Sequence, residues 1–443
     1  MKRFLLFAAT LLCIGACCNK KTPANHHPEW TYNSVIYEVN IRQFSPEGTF
    51  AGVEAQLPRL KELGVDILWM MPLYEIGTEG RKGTLGSYYA ISDYCKVNPE
   101  FGTMEEFDHL LAAAHELGFK VILDWVANQT APDHIWMTGR DADFYERDSL
   151  GNAIYEYDWT DTRSLNYENE AVWAAQDSCM RFWLEKGVDG FRCDAAGEMP
   201  AKFWQSVMPK MNADYPEAYF LAEAERTNLA NPDSTFDATY AWELHHILNN
   251  VASGNESVEA IKAYLVRDAE NYPETAFRMT FTSNHDENSW AGTEFERMGD
   301  AADACAVLCF TLPKSQPLIY TGQEIGLDRR LAFFEKDPIT DWSDNAHTEF
   351  FKKLVALKHA HPALDAGERG GAYVEIAEPD GVLAFSREKD GDKVIVVVNF
   401  NKEDAAVTLN LDGAYTELFT DGDTEGEVSL SVRPAGYLVL VKK

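Results

Sequence analysis

From Trp30 onward the chain alternates short apolar runs with stretches whose apolar residues recur at helical spacing. Val35 to Ile41 reads as a strand, and Phe50 to Leu63 as a helix with Val53, Leu57 and Leu60 on one face. Gly64 stops that helix and Val65 to Met71 is the next strand. Thr103-Met104-Glu105-Glu106 is a capping box opening a helix that turns Phe107, Leu110, Leu111, Ala114 and Leu117 inward. Gly118 ends it before the strand Val121 to Asp124. The same phrase returns where the helical run Val172, Ala175, Cys179, Phe182, Trp183 meets Gly187 and then Gly190 to Asp194. Helix, glycine, strand, repeated with similar wording, implies βα units and a parallel sheet. Fainter strands follow at Tyr219 to Glu223, Asp237 to Trp242, Phe277 to Thr282 and Pro317 to Tyr320. Eight such strands predict a closed (β/α)8 barrel; a doubly wound open sheet is the rival, but no glycine-rich nucleotide loop follows the first strand.

Two segments break the alternation. About 40 polar and aromatic residues, roughly 127–167, separate the third strand from its helix, which is far beyond an ordinary βα loop. After His361-Pro362-Ala363-Leu364 the periodicity changes to two, in Val382 to Ser386, Val394 to Phe400, Ala406 to Leu411 and Tyr437 to Val441. That predicts an antiparallel β-sandwich over 365–443, appended to a barrel over 30–364.

The amino terminus is excluded from the fold. Lys2 and Arg3 precede a short apolar core, Phe4 to Ile14, and Ile14-Gly15-Ala16-Cys17 resembles a bacterial lipoprotein cleavage box. Residues 1–29 are therefore expected to be a signal peptide and tether, with a lipid anchor on Cys17 and an exported, periplasmic or cell-surface protein behind it. The net charge of −32, from 71 acidic and 39 basic residues, repels phosphate backbones and argues against nucleic acid as a partner. Five of the eight cysteines lie beyond the leader, an odd number set mostly in apolar runs, which reads as buried thiols. No Cys or His spacing suggests zinc.

Chemistry gathers where the strands end. In a (β/α)8 barrel the C-terminal strand ends form the active-site rim, and those ends carry Asp124, Asp194, Glu223 and His285-Asp286. Arg192 and Asp194 share one face of their strand by parity. Four acids on one rim repel one another unless some are protonated and others hydrogen-bonded. Pushing the pKa values of neighbouring carboxyls apart is what acid and nucleophile chemistry at a glycosidic bond requires. Glu225 shares the strand face of Glu223 and is its rival for the acid role.

Asp124-Trp125-Val126-Ala127-Asn128, Gly190-Phe191-Arg192-Cys193-Asp194, Phe220-Leu221-Ala222-Glu223 and Phe281-Thr282-Ser283-Asn284-His285-Asp286 resemble, in order, the four motifs of the α-amylase superfamily of glycoside hydrolases. The resemblance implies Asp194 as nucleophile, Arg192 as the cation holding it, Glu223 as general acid/base and Asp286 as the third acid on the sugar hydroxyls. It further implies substrate binding by His285, Asn128 and Gln129, with Tyr89 as the aromatic platform under the reacting sugar; Asp124 is expected to stabilise its loop. The departures matter too. Gln129 stands where the family usually has His, and Gly197 and Glu198 where Lys and His are frequent. Ser164 occupies the place of an Asp ligand, so the structural calcium of many relatives is not expected and no cofactor is implied. The expected activity is retaining hydrolysis of α-1,4-glucosidic bonds in starch-like glucans; a transglycosylase, an α-1,6-acting relative and a decayed glucan-binding lipoprotein are the alternatives.

Overall fold

The computed structural model describes residues 27–139, 142–376 and 379–443. Cys17 and residues 1–26 of the expected leader and tether lie outside them, whereas His27, read as tether, is buried with its Nδ1 2.8 Å from Asp237 Oδ1. Among the described residues no helix is long and apolar enough to cross a membrane.

Eight parallel strands close into a barrel in sequence order: β1 (Ile36–Val39), β2 (Ile67–Met70), β3 (Lys120–Val126), β4 (Gly190–Asp194), β5 (Tyr219–Ala222), β6 (Ala238–Tyr240), β7 (Phe277–Thr280) and β8 (Ser315–Tyr320). One set of strand side chains, including Ile36, Trp69, Ile122, Leu221 and Met279, fills the barrel. The alternate set packs under the surrounding helices, as expected of strands buried on both faces. The capping box at Thr103 forms, and the helix Met104–Glu116 buries Phe107, Leu110, Leu111 and Ala114.

The helix read over Phe50 to Leu63 is two, Phe50–Glu54 and Leu57–Leu63. Pro58 has no amide hydrogen to give to the preceding turn, so the first helix stops and a second starts with proline in its first turn.

Gly190 explains how two acids come close. Its φ is +147°, and a Cβ there would stand 1.8 Å from the carbonyl oxygen of Tyr219, so only glycine lets β4 press against β5 at this point. At the other end of β4, Ala195 adopts a left-handed φ of 46°. That turn aims the Ala195 amide at Glu223 Oε2, 2.8 Å away, and local backbone strain of this sort is characteristic of functional sites.

The long segment after β3 folds over the strand ends. At its base Gln129–Thr130 pairs with Arg163–Ser164 as a short antiparallel ribbon. The carboxy-terminal strands β9 (Ala372–Glu375), β10 (Val382–Lys389), β11 (Asp392–Asn399), β12 (Ala405–Glu417), β13 (Asp423–Val432) and β14 (Tyr437–Lys442) form one antiparallel sheet in the order β9-β10-β11-β14-β12-β13. A register break between Asn410 and Ala414 bends this sheet, so that Val407 and Leu409 join Ala384, Ile395 and Val397 in a small core of their own. The opposite face, with Phe385, Val394 and Val396, belongs to the main barrel core. All five described cysteines are free thiols, three of them buried.

Candidate active site

Asp194, Glu223 and Asp286, on the loops or ends of β4, β5 and β7, line one cavity of about 1000 Å³ at the C-terminal rim of the barrel. Arg192 lies behind the first two, with no exposed surface. Its Nη1 is 3.0 Å from Asp194 Oδ1 and 2.8 Å from Asp124 Oδ1. Its Nη2 stands 2.7 Å from Glu223 Oε2 without hydrogen-bond alignment, and its Nε donates to the Tyr240 hydroxyl at 3.0 Å. One guanidinium thus bridges three carboxylates, a geometry that a planar fork supports and an ammonium does not.

Asp124 is fully buried beneath this layer. It accepts from Arg192, from Trp69 Nε1 at 3.2 Å and from the Tyr89 hydroxyl at 3.0 Å. Its expected role in its own loop is therefore corrected: β3 and β4 are adjacent, Asp124 is in register with Arg192, and the carboxylate holds the guanidinium and the tyrosine. The Tyr89 hydroxyl also meets His285 Nε2 at 2.7 Å, and the two rings stack with centroids 5.5 Å apart. His285 Nδ1 in turn lies 2.5 Å from Glu38 Oε1 on β1, and Asp286 Oδ2 is 3.4 Å from His285 Nε2.

Burial raises the pKa of Asp194 well above the ordinary carboxylate range; Arg192 opposes this, while Glu223, Asp124 and Asp286 push the same way. Asp286 and Asp124 are raised as well, again chiefly by burial. Burial alone would lower His285, but Asp286 and Glu38 outweigh it and bring the imidazole up to about 9. A protonated His285 donates from both nitrogens, to Glu38 and to the Tyr89 hydroxyl, which leaves that hydroxyl to donate to Asp124, where Arg192 donates from the other side. Against these two cations stand five acids, an arrangement that disfavours the ionised forms of the buried carboxyls Asp194, Asp286 and Asp124.

The remaining residues divide. Gln129 lines the cavity, and its buried Oε1 has no partner. Asn128, expected on the sugar surface, is not among the lining residues: its Nδ2 donates to Glu156 at 3.1 Å and its carbonyl accepts from Leu165 N. The ribbon at the base of the inserted segment draws it away. Arg192, expected as the cation holding Asp194, reaches carboxylates and the Tyr240 hydroxyl and lies over the Trp69 ring at 5.0 Å. Glu225, the rival of Glu223, pairs with Arg278 at 2.8 Å and accepts from Glu243 N at the start of the next helix. That leaves Glu223 beside Asp194.

Ser164, at the place where the resemblance implies an Asp ligand for calcium, faces Gln129 across the ribbon and brings no negative charge there. Among the described residues no group of three or more His, Cys, Asp or Glu is arranged to hold a metal.

Glu38, Tyr240 and Trp69 escaped the reading from sequence. Only Glu38 left a signal there, as an acid inside the apolar run Val35-Ile36-Tyr37-Glu38-Val39. Phe333 and Trp290 were missed too. Phe333 stacks on Tyr89 with an interplanar angle of 14°, and Trp290 packs on Phe333 at 5.3 Å, carrying an aromatic wall from the pocket floor to the surface.

The alpha amylase catalytic-domain profile matches residues 21–150 and 154–360, and the alpha amylase C-terminal all-beta domain profile matches 375–441. An alpha-amylase of Haloarcula japonica is 30% identical over 433 residues, covering 92% of this chain and 63% of that protein; the chain thus spans less than two thirds of that relative. A probable oligo-1,6-glucosidase of Bacillus subtilis is 28% identical over 75% of the chain and 71% of its own length. The crystal structure of an alpha-amylase from Lactobacillus plantarum superposes with a TM-score of 0.83 at 31% identity, over 93% of this chain and 99% of that one. Barrel, acid-lined rim and these relatives together define a glycoside hydrolase. Within that class, the chain belongs to the α-amylase family.

Proposed function

We propose that the protein is a retaining hydrolase that cleaves α-1,4-glucosidic bonds of starch-like glucans or maltooligosaccharides by double displacement. The observation that carries this reading is the single guanidinium of Arg192 between Asp194 and Glu223 at 3.0 and 2.7 Å. A shared guanidinium favours the closer of the two carboxyl separations found in glycosidases, about 5–5.5 Å, at which the second acid attacks directly.

Asp194 attacks the anomeric carbon as the bond to the leaving oxygen breaks, and Glu223 delivers a proton to that oxygen. Water then takes the leaving group's place, gives a proton back to Glu223 and releases the sugar from Asp194. Asp286 and His285 hold ring hydroxyls, and Tyr89 offers its ring face to sugar C–H groups. Arg192 favours the ionised form of Asp194 and opposes the burial that raises its pKa.

Proton NMR of products from maltoheptaose tests the mechanism: the new reducing end is α at first and mutarotates later. An initial β-anomer would overturn double displacement. Panose and pullulan separate the α-1,6-acting alternative, and glucosyl transfer to added maltose separates a transglycosylase. The lipoprotein-like leader supports an exported protein anchored through Cys17, meeting glucan outside the cytoplasm.

The proposed imidazolium sets a pH limit. A His whose pKa is about 9 when folded and 6.5 when free contributes stability that is complete below about pH 6.5 and disappears as pH rises through about 9. We expect the alkaline limb of kcat/KM to fall near that upper value. Glu38→Gln removes one of the charges that raise His285, so its limb should move to lower pH by about one unit. An unchanged alkaline limb in the variant would show that His285 does not set it.

A further inference from the structure

The walls of the cavity differ according to their position relative to Glu223. In a barrel closed in sequence order, β5 lies opposite β1, so the loops after β1, β2 and β8 face Glu223 across the pocket. These loops are tied into one rim. Glu335 accepts from Thr84 N at 2.8 Å and from the Thr84 hydroxyl. Leu85 N donates to the Phe334 carbonyl at 3.2 Å. Buried Arg42 gathers the carbonyls of Gly86, Leu85 and Phe333 at 3.0 to 3.3 Å. Gly83, at a φ of +61°, lies so close that a Cβ would come within 2.6 Å of Phe334 Cβ.

Both ends of this rim are anchored to their neighbours. Lys82 Nζ donates to the Asp158 carbonyl of the inserted segment at 2.6 Å, and Trp290, on the loop after β7, packs on Phe333 and Phe334. The Glu223 side is built differently. Ala195, Gly197 and Ala224 alternate there with Glu198, Arg226 and Trp242, and residues 225–228 stand exposed.

We propose that the protein works from the non-reducing ends of α-glucans, because the strap formed by residues 82–86 and 333–336 makes the glycone side of the pocket blind. The inference rests on the assignment of Glu223 as the acid. The leaving oxygen receives its proton there, so the departing chain runs out over Gly197 and Ala224. The sugar attacked by Asp194 lies on the other side, and any unit attached to its non-reducing end points into the strap. A chain interior would need a gap between Thr84 and Glu335, where the rim is hydrogen-bonded shut.

The test uses the full chain with 4-nitrophenyl α-maltoheptaoside, in free form and with its non-reducing terminal glucose blocked by a 4,6-O-ethylidene group. Products are separated by liquid chromatography and read at the nitrophenyl absorbance. The free compound is cleaved, and the blocked one on the order of 100-fold more slowly. Glu335→Ala and Phe334→Ala open the rim and raise the blocked-to-free rate ratio at least tenfold. On amylose, the wild-type protein releases reducing sugar while iodine staining falls only in proportion. Equal cleavage of both maltoheptaosides, or rapid loss of iodine staining, overturns the chain-end proposal while leaving hydrolysis standing. Cleavage of neither compound removes the hydrolase reading, and this proposal with it.

Discussion

Asp194→Asn is expected to lower kcat on maltooligosaccharides by on the order of 10⁴-fold or more while glucan affinity stays within a few-fold of wild type. The amide keeps the size and the Arg192 contact of the carboxylate at 3.0 Å, but it cannot form the ester with the anomeric carbon. Removal of one acid from the crowded rim also relieves repulsion among Asp124, Glu223 and Asp286, all of which act on Asp194, so the variant folds and binds. Azide distinguishes the two roles. With Asp194→Ala the small anion fills the vacated space and attacks from the same side as the lost carboxylate, giving the β-glucosyl azide from an activated fluoride of inverted configuration to the nucleophile's ester. With Glu223→Ala, azide instead intercepts the intermediate on Asp194 and gives the α-azide. Glu223→Gln should cost about 10²–10⁴-fold on maltooligosaccharides and much less on glucosyl fluoride, whose leaving group needs little protonation. Wild-type turnover in Asp194→Asn would remove the nucleophile assignment.

Arg192→Met should have the largest effect on stability, a loss of about 3–5 kcal/mol, because it leaves buried carboxylates without their counter-charge. Asp124 is fully buried and Asp194 and Glu223 are only slightly exposed, so water cannot substitute for the guanidinium. Protonation of the acids offsets part of the loss. Unfolding of the variant should therefore depend on pH more steeply than that of the wild type, with its stability highest at acidic pH. Asp124→Asn in the same chain removes one of the stranded charges and should recover part of the loss in urea melts. A double variant no more stable than Arg192→Met alone would show that the Arg192–Asp124 pair is not where the energy lies. Catalysis by Arg192→Met is expected to be negligible even at temperatures where it remains folded.

The legible and illegible parts of the site differ for physical reasons. Asp124, Arg192, Asp194, Glu223 and Asp286 were readable because each lies in the C-terminal part of a strand of recognisable period or on the loop that follows it, and those ends in a βα repeat have only one rim to meet at. Gln129 and Asn128 are neighbours in sequence, yet one faces the cavity and the other is drawn to Glu156 by the inserted segment. Nothing in the local pattern separates them, because the ribbon with Arg163–Ser164 pairs residues more than thirty positions apart. Glu225 and Glu223 were equal by parity and only position in the motif separated them; in the structure Arg278, on β7, occupies Glu225.

What the sequence by itself determined is the alternation of helix and strand, the closing of each helix at a glycine such as Gly187, and the chemistry carried at each strand end, since these depend on neighbours a few positions away. Only the tertiary structure decided which groups share a proton and a counter-charge. Glu38 reaches His285 across 247 positions, and the strap opposite Glu223 joins Thr84 to Glu335 across 251. Contacts of that separation depend on barrel closure and loop packing, and no local pattern of hydrophobic and polar residues encodes them.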